Sequence, residues 1–366
     1  MPETIYLPHK PDTPLSYHFV PGQGPLSASH LLVFLNGLIG SQTVWEPTIQ
    51  ELQRRWDEYG SEASYPSLLA YDRYGQGESG ADPADEQHGG SHDIQDVCGD
   101  LGGLIEAIWD TYMLGAPFPA ALRRRRSPNL IFVANSIGCV IARLYAADCS
   151  IDAYLLYAKD CSVDALLLLD SNIANSDLVS IFPDPDAADF DPSVLPPDVT
   201  IADLRRTREG YARLLHPSVP NSEHLDRRNV ASYFPYSDRP PLKGGAPGSE
   251  KGPWITVVGH DWDTFAEEGL RGSIHVPKSL TNAFMNPAWS RYNEGLTHLT
   301  ETPRARGPLI ANGCGHFIQK DDPRLVAELT EQLLEKIRGE NVDGAESFTR
   351  LQGMNSAGVD VQSLEI

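Results

Sequence analysis

Short apolar runs alternate with longer helical patterns along most of this chain, and this alternation constrains the fold more than any other feature. The apolar runs cover residues 31–35, 67–71, 129–133, 165–169, 254–258 and 308–311. Apolar residues with helical spacing lie at 44–59, 92–113, 137–147 and 201–215, and again from residue 323. Continuous apolar strands separated by helices are typical of a parallel sheet that is covered on both faces. The sequence therefore predicts an α/β fold with a mostly parallel central sheet flanked by helices, in which functional groups gather beyond the carboxyl ends of the strands.

Residues 171–253 interrupt the alternation, because this stretch is rich in Pro, Asp and Ser and has one helical pattern, at 201–215. A segment of this length is more typical of a functional lid than of a plain loop. We therefore expect a core formed by residues 1–170 and 254–340, with residues 171–253 inserted as a cap. The weak patterning of residues 341–366 predicts a mobile C-terminal tail.

Charge and composition limit the partners of the protein. The 366 residues carry 50 Asp and Glu against 29 Lys and Arg, a formal net charge of -21. Such a surface repels a phosphate backbone, so no nucleic-acid partner is expected, and the basic run 123–126 is interpreted as a solvated loop. No stretch approaches the roughly 18 apolar residues of a membrane span.

Cysteine and histidine spacing gives two further expectations. The five cysteines have no regular pairing pattern, and the N-terminus lacks the features of a signal peptide, so we expect reduced thiols and a cytoplasmic protein. The scattered histidines lack metal-ligand spacing, so no metal or other cofactor is expected. A small-molecule substrate is the expected partner, and the sequence leaves the oligomeric state open.

Ser136 lies between the apolar run 129–133 and the helical pattern that begins at Ile137. Ala134 and Gly138 stand two residues to either side, and small residues there allow the strained strand-to-helix turn that exposes a nucleophilic serine. The backbone N–H of Ile137 then becomes a candidate oxyanion donor. The alternative interpretation is a serine that caps an ordinary helix.

Two other loops could complete such a site, because both leave the ends of buried strands. Asn36 and Gly37 follow the run 31–35, and the N–H of Leu38 is the expected second oxyanion donor. His316 follows Gly315 after the last run, where an imidazole can act as general base. The other ten histidines are assigned to surface or packing roles.

Two motifs resemble those of the α/β-hydrolase superfamily. Residues 72–79 (Asp-Arg-Tyr-Gly-Gln-Gly-Glu-Ser) resemble its D-x-x-G-x-G-x-S turn, and residues 315–323 are similar to the G-H-x-I-x-x-D-x-P segment around its catalytic His. The resemblance covers roughly 15–170 and 254–338 and is strongest to the serine-hydrolase branch, among fungal and bacterial members of uncertain substrate. Asn36 stands where the family usually has His, and Asn135 where His or Gln often precedes the nucleophile.

A catalytic triad needs an acid beside Ser136 and His316, and the sequence offers candidates for it at two strand ends. Most family members place it after the later strand, where this chain has Trp262 flanked by Asp261 and Asp263. A minority place it at the earlier strand end, which Asp170 matches, so Asp170 is favoured and Asp261 or Asp263 is the alternative. In either position the acid would orient His316 and stabilise its imidazolium.

The resemblance implies a serine hydrolase that cleaves an ester, thioester or lactone of a small to medium apolar substrate through an acyl-enzyme. Aromatic residues of the expected cap could line an apolar pocket or form a small core: Phe182, Phe190, Tyr211, Tyr233, Phe234 and Tyr236. An aminopeptidase-like amide hydrolase is a second alternative, because acidic residues of the expected cap could bind the amine of its substrate: Asp184, Asp186, Asp189 and Asp191. A non-hydrolytic lyase or cyclase, or a ligand-binding protein, is the third alternative. Epoxide hydrolases and dehalogenases of this fold use an Asp nucleophile, so Ser136 argues against that chemistry.

Overall fold

Eight strands form one central sheet in the computed structural model, which describes residues 2–38, 40–58, 60, 64–113, 127–150, 162–243 and 251–356. They are β1 (Glu3–Leu7), β2 (Lys10–Val20), β3 (His30–Leu35), β4 (Ser67–Tyr71), β6 (Asn129–Asn135), β7 (Ser162–Leu169), β9 (Trp254–His260) and β10 (Ala305–Ala311). The spatial order is β1-β2-β4-β3-β6-β7-β9-β10, and the six strands from β4 to β10 in that order are parallel. The predicted α/β fold is confirmed, and each of the six predicted runs lies in one of these parallel strands. The antiparallel hairpin β1–β2 at the edge was not predicted.

Helices cover both faces of the sheet. They are α1 (Gly24–Ser27), α2 (Glu46–Glu58), α3 (Ile94–Ile108), α4 (Ile137–Ser150), α5 (Ile201–Leu214), α6 (Val230–Tyr233), α7 (Trp262–Arg271), α8 (Lys278–Leu280), α9 (Asn286–Leu296), α10 (Ile318–Asp321) and α11 (Pro323–Ser356). The sequence patterns predicted α2, α3, α4, α5 and the start of α11, but not α7 to α9. Helix α11 continues into residues 341–366, for which a mobile tail was predicted; residues 357–366 and the basic run 123–126 lie outside the described residues. Across the part of the chain that the structure describes, no helix combines the length and the apolar character needed to cross a membrane.

Successive residues of each central strand contribute to opposite cores, as the period of two in a strand requires. In β3, Leu31 and Val33 belong to the core on the side of α3 and α4, whereas Leu32 and Phe34 belong to the core on the side of α2 and α11. All four side chains are fully buried. Burying such a side chain stabilises the fold by about 1.5–3 kcal/mol, so the strand is held from both faces and its end is a rigid support for loops.

The segment after β7 packs on the same side of the sheet as α3 and α4. Phe182, Tyr211 and Phe234 belong to that core, with the Phe182 ring centroid 5.0 Å from that of Tyr211. A two-residue strand β8 (Leu225–Asp226) pairs in parallel with β5 (His92–Asp93) and so joins the segment to the core. That residues 171–253 act as a cap stays a prediction.

Candidate active site

Ser136 occupies a strained turn between β6 and α4. Its φ of 57° lies in the left-handed region, which is unfavourable for a residue with a side chain. Hydrogen bonds hold this conformation: the Ser136 N–H donates to the Leu169 carbonyl oxygen (3.2 Å), and the Ser136 carbonyl oxygen accepts from the Asn172 N–H (3.2 Å). The neighbouring strand end β7 therefore supports the turn that presents the serine.

Two glycines allow close packing around this turn. A side chain at Gly138 would bring its Cβ within 2.4 Å of the Leu35 carbonyl oxygen, so only glycine lets α4 begin directly over the end of β3. A Cβ at Gly37 would lie 3.2 Å from Ser136 Cβ and 3.8 Å from its Oγ. The loop that carries Leu38 therefore borders the hydroxyl of Ser136, and the N–H of Ile137 opens α4, where the first amides of a helix have no partner within the helix.

Asp170 and His316 lie in hydrogen-bond contact. Asp170 Oδ2 is 2.6 Å from His316 Nδ1, and the Asp170 side chain is fully buried. Burial alone would raise the pKa of Asp170. Charge interactions and hydrogen bonds with His260 and His316 outweigh burial and lower that pKa below its ordinary value. The carboxylate is thus held ionised at neutral pH, with one oxygen directed at the imidazole.

Asn135 connects the loop of His316 to the turn of Ser136. Its Nδ2 donates to the carbonyl oxygens of His316 (2.9 Å) and Leu169 (3.0 Å), while Gln319 Nε2 donates to Asn135 Oδ1 (3.1 Å). The residue that precedes the serine therefore binds the backbone of the histidine directly. An amide is suited to this position because it donates to carbonyl groups on one side and accepts on the other.

The alternative acids have other contacts. Asp261 is the N-cap of α7, with Oδ1 accepting from the Thr264 N–H (3.0 Å) and Oδ2 from the Gly313 N–H (3.4 Å). Asp263 lies in the first turn of α7 with an exposed side chain. The structure therefore brings Asp170, and neither of these two, into contact with His316 among the described residues.

His260 also contacts Asp170, so the surface or packing role predicted for every histidine except His316 was wrong for this one. Its Nδ1 lies 2.8 Å from Asp170 Oδ1, and its ring stacks on Phe265 with centroids 4.0 Å apart. The signal was present in the order of the strands: β7 and β9 are parallel neighbours with Leu169 opposite Val258, so Asp170, just beyond β7, meets His260 at the end of β9.

A buried ion pair holds the loop beside Ser136. Arg73 donates from Nη1 to the Asn36 carbonyl oxygen (2.8 Å) and from Nη2 to that of Gly37 (3.0 Å). The same guanidinium binds both carboxylate oxygens of Glu223, at 2.9 and 3.1 Å, and both side chains are buried. Gln76 Nε2 adds a third donor to the loop, 2.9 Å from the Gly37 carbonyl oxygen. Because Glu223 belongs to the segment after β7, that segment helps to position the expected oxyanion loop.

A cavity of about 320 Å³ adjoins the site, with Ile137 and Asn172 in its wall. Its lining mixes apolar side chains such as Leu178 and Leu215 with polar ones such as Asp177. Within the described residues, the lining does not include the aromatic side chains considered for an apolar pocket (Phe182, Phe190, Tyr211, Tyr233, Phe234 and Tyr236). Most of these rings pack in or against the core instead, where they bury more apolar surface.

Asp82, Asp85 and His92 form a buried cluster of the residue types that bind metals, with ligand atoms within 4.8 Å of one another. Lys10 Nζ already lies 2.6 Å from Asp82 Oδ2 and 2.8 Å from Asp100 Oδ2, and His92 Nδ1 lies 2.9 Å from Asp85 Oδ1. The ammonium group of Lys10 therefore supplies positive charge to the cluster, and we interpret the cluster as a structural charge network.

Comparison with known proteins identifies the family of the chain. The model of the alpha/beta hydrolase family matches residues 32–329, and the chain therefore belongs to that family. A protein of Agrobacterium vitis S4 described as a hydrolase has a similar structure, with 10% identity, a TM-score of 0.50, and coverage of 91% of this chain and 98% of its own. A laboratory-evolved variant of potato epoxide hydrolase is similar at 14% identity and a TM-score of 0.50, over 92% of this chain and 99% of its own. At such identities the likeness shows the fold alone. No protein with a curated function matches the chain.

Proposed function

We propose that the protein is a serine hydrolase that cleaves an ester, thioester or lactone, with Ser136 as nucleophile, His316 as general base and Asp170 as the acid. The observation that carries this proposal is the 2.6 Å hydrogen bond between Asp170 Oδ2 and His316 Nδ1. Because a carboxylate can only accept a hydrogen bond, the imidazole of His316 must carry its hydrogen on Nδ1. The lone pair of Nε2 is then available to take a proton from a serine hydroxyl.

The proposed reaction passes through an acyl-enzyme. His316 takes the hydroxyl proton while Ser136 Oγ attacks the carbonyl carbon, and the N–H groups of Ile137 and Leu38 bind the oxyanion. His316 then gives the proton to the leaving alcohol or thiol, and water attacks the acyl group by the same steps. Each oxyanion donor is expected to contribute about 2.7–4 kcal/mol of barrier lowering, so the packing of Gly37 against Ser136 matters for rate.

The cavity beside Ile137 supports a small to medium substrate, and we propose residues 171–253 as the cap that encloses it. A volume of about 320 Å³ lies at the lower end of the range for small-molecule sites. The mixed lining favours a substrate group that carries polar atoms, rather than the purely apolar group expected from the sequence. We further propose a reducing, cytoplasmic setting, in which buried thiols such as Cys139 and Cys314 stay reduced.

The acidic residues of the proposed cap give little support to an aminopeptidase. Asp186 forms an exposed ion pair with Arg205, Asp184 lies 3.7 Å from Arg208, and Asp191 accepts hydrogen bonds from Ser193. The described lining of the cavity takes in Asp177 but none of these. An amide substrate is therefore the second candidate, behind the ester class.

A fluorophosphonate probe tests the nucleophile. The native protein should be labelled, and Ser136→Ala should not. Ser232→Ala is the matched control, because Ser232 is exposed and donates to the Asn229 carbonyl oxygen away from the triad. Labelling that survives Ser136→Ala would overturn the assignment. A panel of esters, thioesters, lactones, aminoacyl amides and epoxides then gives the substrate class, and turnover of epoxides alone would refute the proposed acyl transfer.

A further inference from the structure

Both ring nitrogens of His260 are engaged with hydrogen-bond acceptors. On one side Nδ1 lies 2.8 Å from Asp170 Oδ1, and on the other Nε2 lies 3.1 Å from Asn286 Oδ1. The backbone N–H of His260 also donates to Asp170 Oδ1, at 3.3 Å. The ring is buried, stacked on Phe265 at 4.0 Å and edge-on to Trp289 at 5.5 Å between centroids.

The orientation of the Asn286 amide follows from its other contacts. Its Nδ2 donates to the Trp262 carbonyl oxygen at 3.1 Å and to Asn282 Oδ1 at 2.6 Å. A backbone carbonyl can only accept, so the amide nitrogen must face Trp262 and the amide oxygen must face His260. His260 Nε2 therefore needs a hydrogen, and Nδ1 needs one as well because a carboxylate accepts.

We propose that His260 is a positioning residue that stays doubly protonated at neutral pH and shares the carboxylate of Asp170 with His316. The proposal rests on the function proposed above, since it concerns how the acid of that triad acts. Asp170 Oδ1 binds His260 and Oδ2 binds His316, so the imidazolium fixes the plane of the carboxylate. It also neutralises part of the charge that would otherwise stabilise protonated His316.

Charges around His260 are consistent with its cationic form. The charged groups that act on it are Asp170 from the end of β7 and Glu268 from α7, while His316 from the loop after β10 binds the other oxygen of Asp170. Burial would lower the pKa of His260, but Asp170, Asn286 and Glu268 outweigh this and raise it above its ordinary value. Of the two imidazoles that bind Asp170, His260 is the one whose two ring nitrogens both face acceptors, so the positive charge is assigned to it.

Removing this charge should change the pH dependence of catalysis. In His260→Gln the full charge of Asp170 acts on His316. The acidic limb of the pH profile of kcat/KM should therefore move to higher pH by about one to two units. Asn286→Leu keeps His260 in contact with Asp170 but removes the acceptor that requires the second hydrogen, and should move the limb in the same direction by less. His30→Gln is the matched control: it breaks another, partly buried histidine–aspartate contact, 3.2 Å to Asp164 near the start of β7, and should leave the limb in place.

Nitrogen-15 NMR of histidine-labelled native protein tests the protonation state directly. At about pH 8, where an unperturbed histidine is neutral, one ring should show both nitrogens protonated, and that signal should vanish in His260→Gln. The proposal would be overturned if no doubly protonated ring that depends on His260 were present at this pH, or if the acidic limb did not move in His260→Gln. Failure of the proposed function is a different result, because it appears as absent turnover and absent probe labelling whatever the NMR spectrum shows.

Discussion

Replacing Asp170 with Asn is the sharpest test of the acid, because the side chain keeps its shape and loses its charge. Asp170 accepts from His316 Nδ1 at 2.6 Å, from His260 Nδ1 at 2.8 Å and from the His260 N–H at 3.3 Å. An amide offers one oxygen and turns an N–H toward the other imidazole, so one ring must adopt the wrong tautomer or rotate. In serine proteases the equivalent change costs about 10⁴-fold in kcat, and we expect a loss of about 10³–10⁴-fold here.

Stability should fall with activity in Asp170→Asn. Removing one partner of a buried ion pair leaves the other charge uncompensated, which costs about 3–5 kcal/mol, and His260 would be that charge. The measurements are kcat on an ester substrate and the free energy of unfolding from urea titration at pH 7. Both losses should exceed those of Asp261→Asn and Asp263→Asn.

Asp261→Asn and Asp263→Asn are the matched controls. Asn caps a helix about as well as Asp, so Asp261→Asn should change the free energy of unfolding by no more than about 0.5 kcal/mol and leave kcat near the native value. Asp263 is exposed, and its change should be equally mild. A larger loss of kcat in either of these variants than in Asp170→Asn would refute the assignment of the acid.

Three further changes have expected outcomes. Glu223→Gln should leave buried Arg73 without its counter-ion, which should lower the free energy of unfolding by about 3–5 kcal/mol and lower kcat. The double variant Arg73→Met with Glu223→Leu should recover much of the stability but not kcat. Urea unfolding and initial rates measure the two effects. Gly138→Ala should abolish activity, since its Cβ would lie 2.4 Å from a carbonyl oxygen; Gly99→Ala, in open space on helix α3, should instead stabilise the protein by about 0.5–1 kcal/mol. Because the pKa of His260 is raised on folding, its stabilising contribution is full below about pH 6.5 and is lost as pH rises through the folded value. The difference in unfolding free energy between the native protein and His260→Gln should therefore be larger at about pH 6 than at about pH 10, and an equal difference would contradict this.

The sequence was sufficient for the parallel part of the sheet because five of its six strands are buried almost throughout and are apolar on both faces. The sixth, the edge strand β10, is more exposed but still contains the apolar run 308–311. The hairpin β1–β2 was not predicted because β2 mixes exposed and buried positions and contains two prolines. It therefore lacks a continuous apolar run. Helices α7 to α9 were missed for separate reasons. Helix α8 has only three residues, α7 fully buries only Ala266, and two of the five buried positions of α9 are Asn, so none of them has a clear apolar face in the sequence.

The candidate site divides in the same way. The local patterns around Ser136 and His316 were visible because each lies within a few residues of a strand end. The contacts of His260 and Glu223 depend on which strands are neighbours and on where the segment after β7 returns to the core, 150 residues beyond Arg73 in the case of Glu223. Such contacts have no local signature in the sequence.

Mass spectrometry of the trapped reaction intermediate tests the central claim most directly. An activated ester is mixed with the protein, the reaction is quenched with acid within the first turnover, and peptides are analysed for a covalently bound acyl group. We expect one acyl group on the peptide that contains Ser136, and in Ser136→Ala both this acyl group and turnover should be lost. An acyl group on another residue, or undiminished turnover by Ser136→Ala, would contradict it.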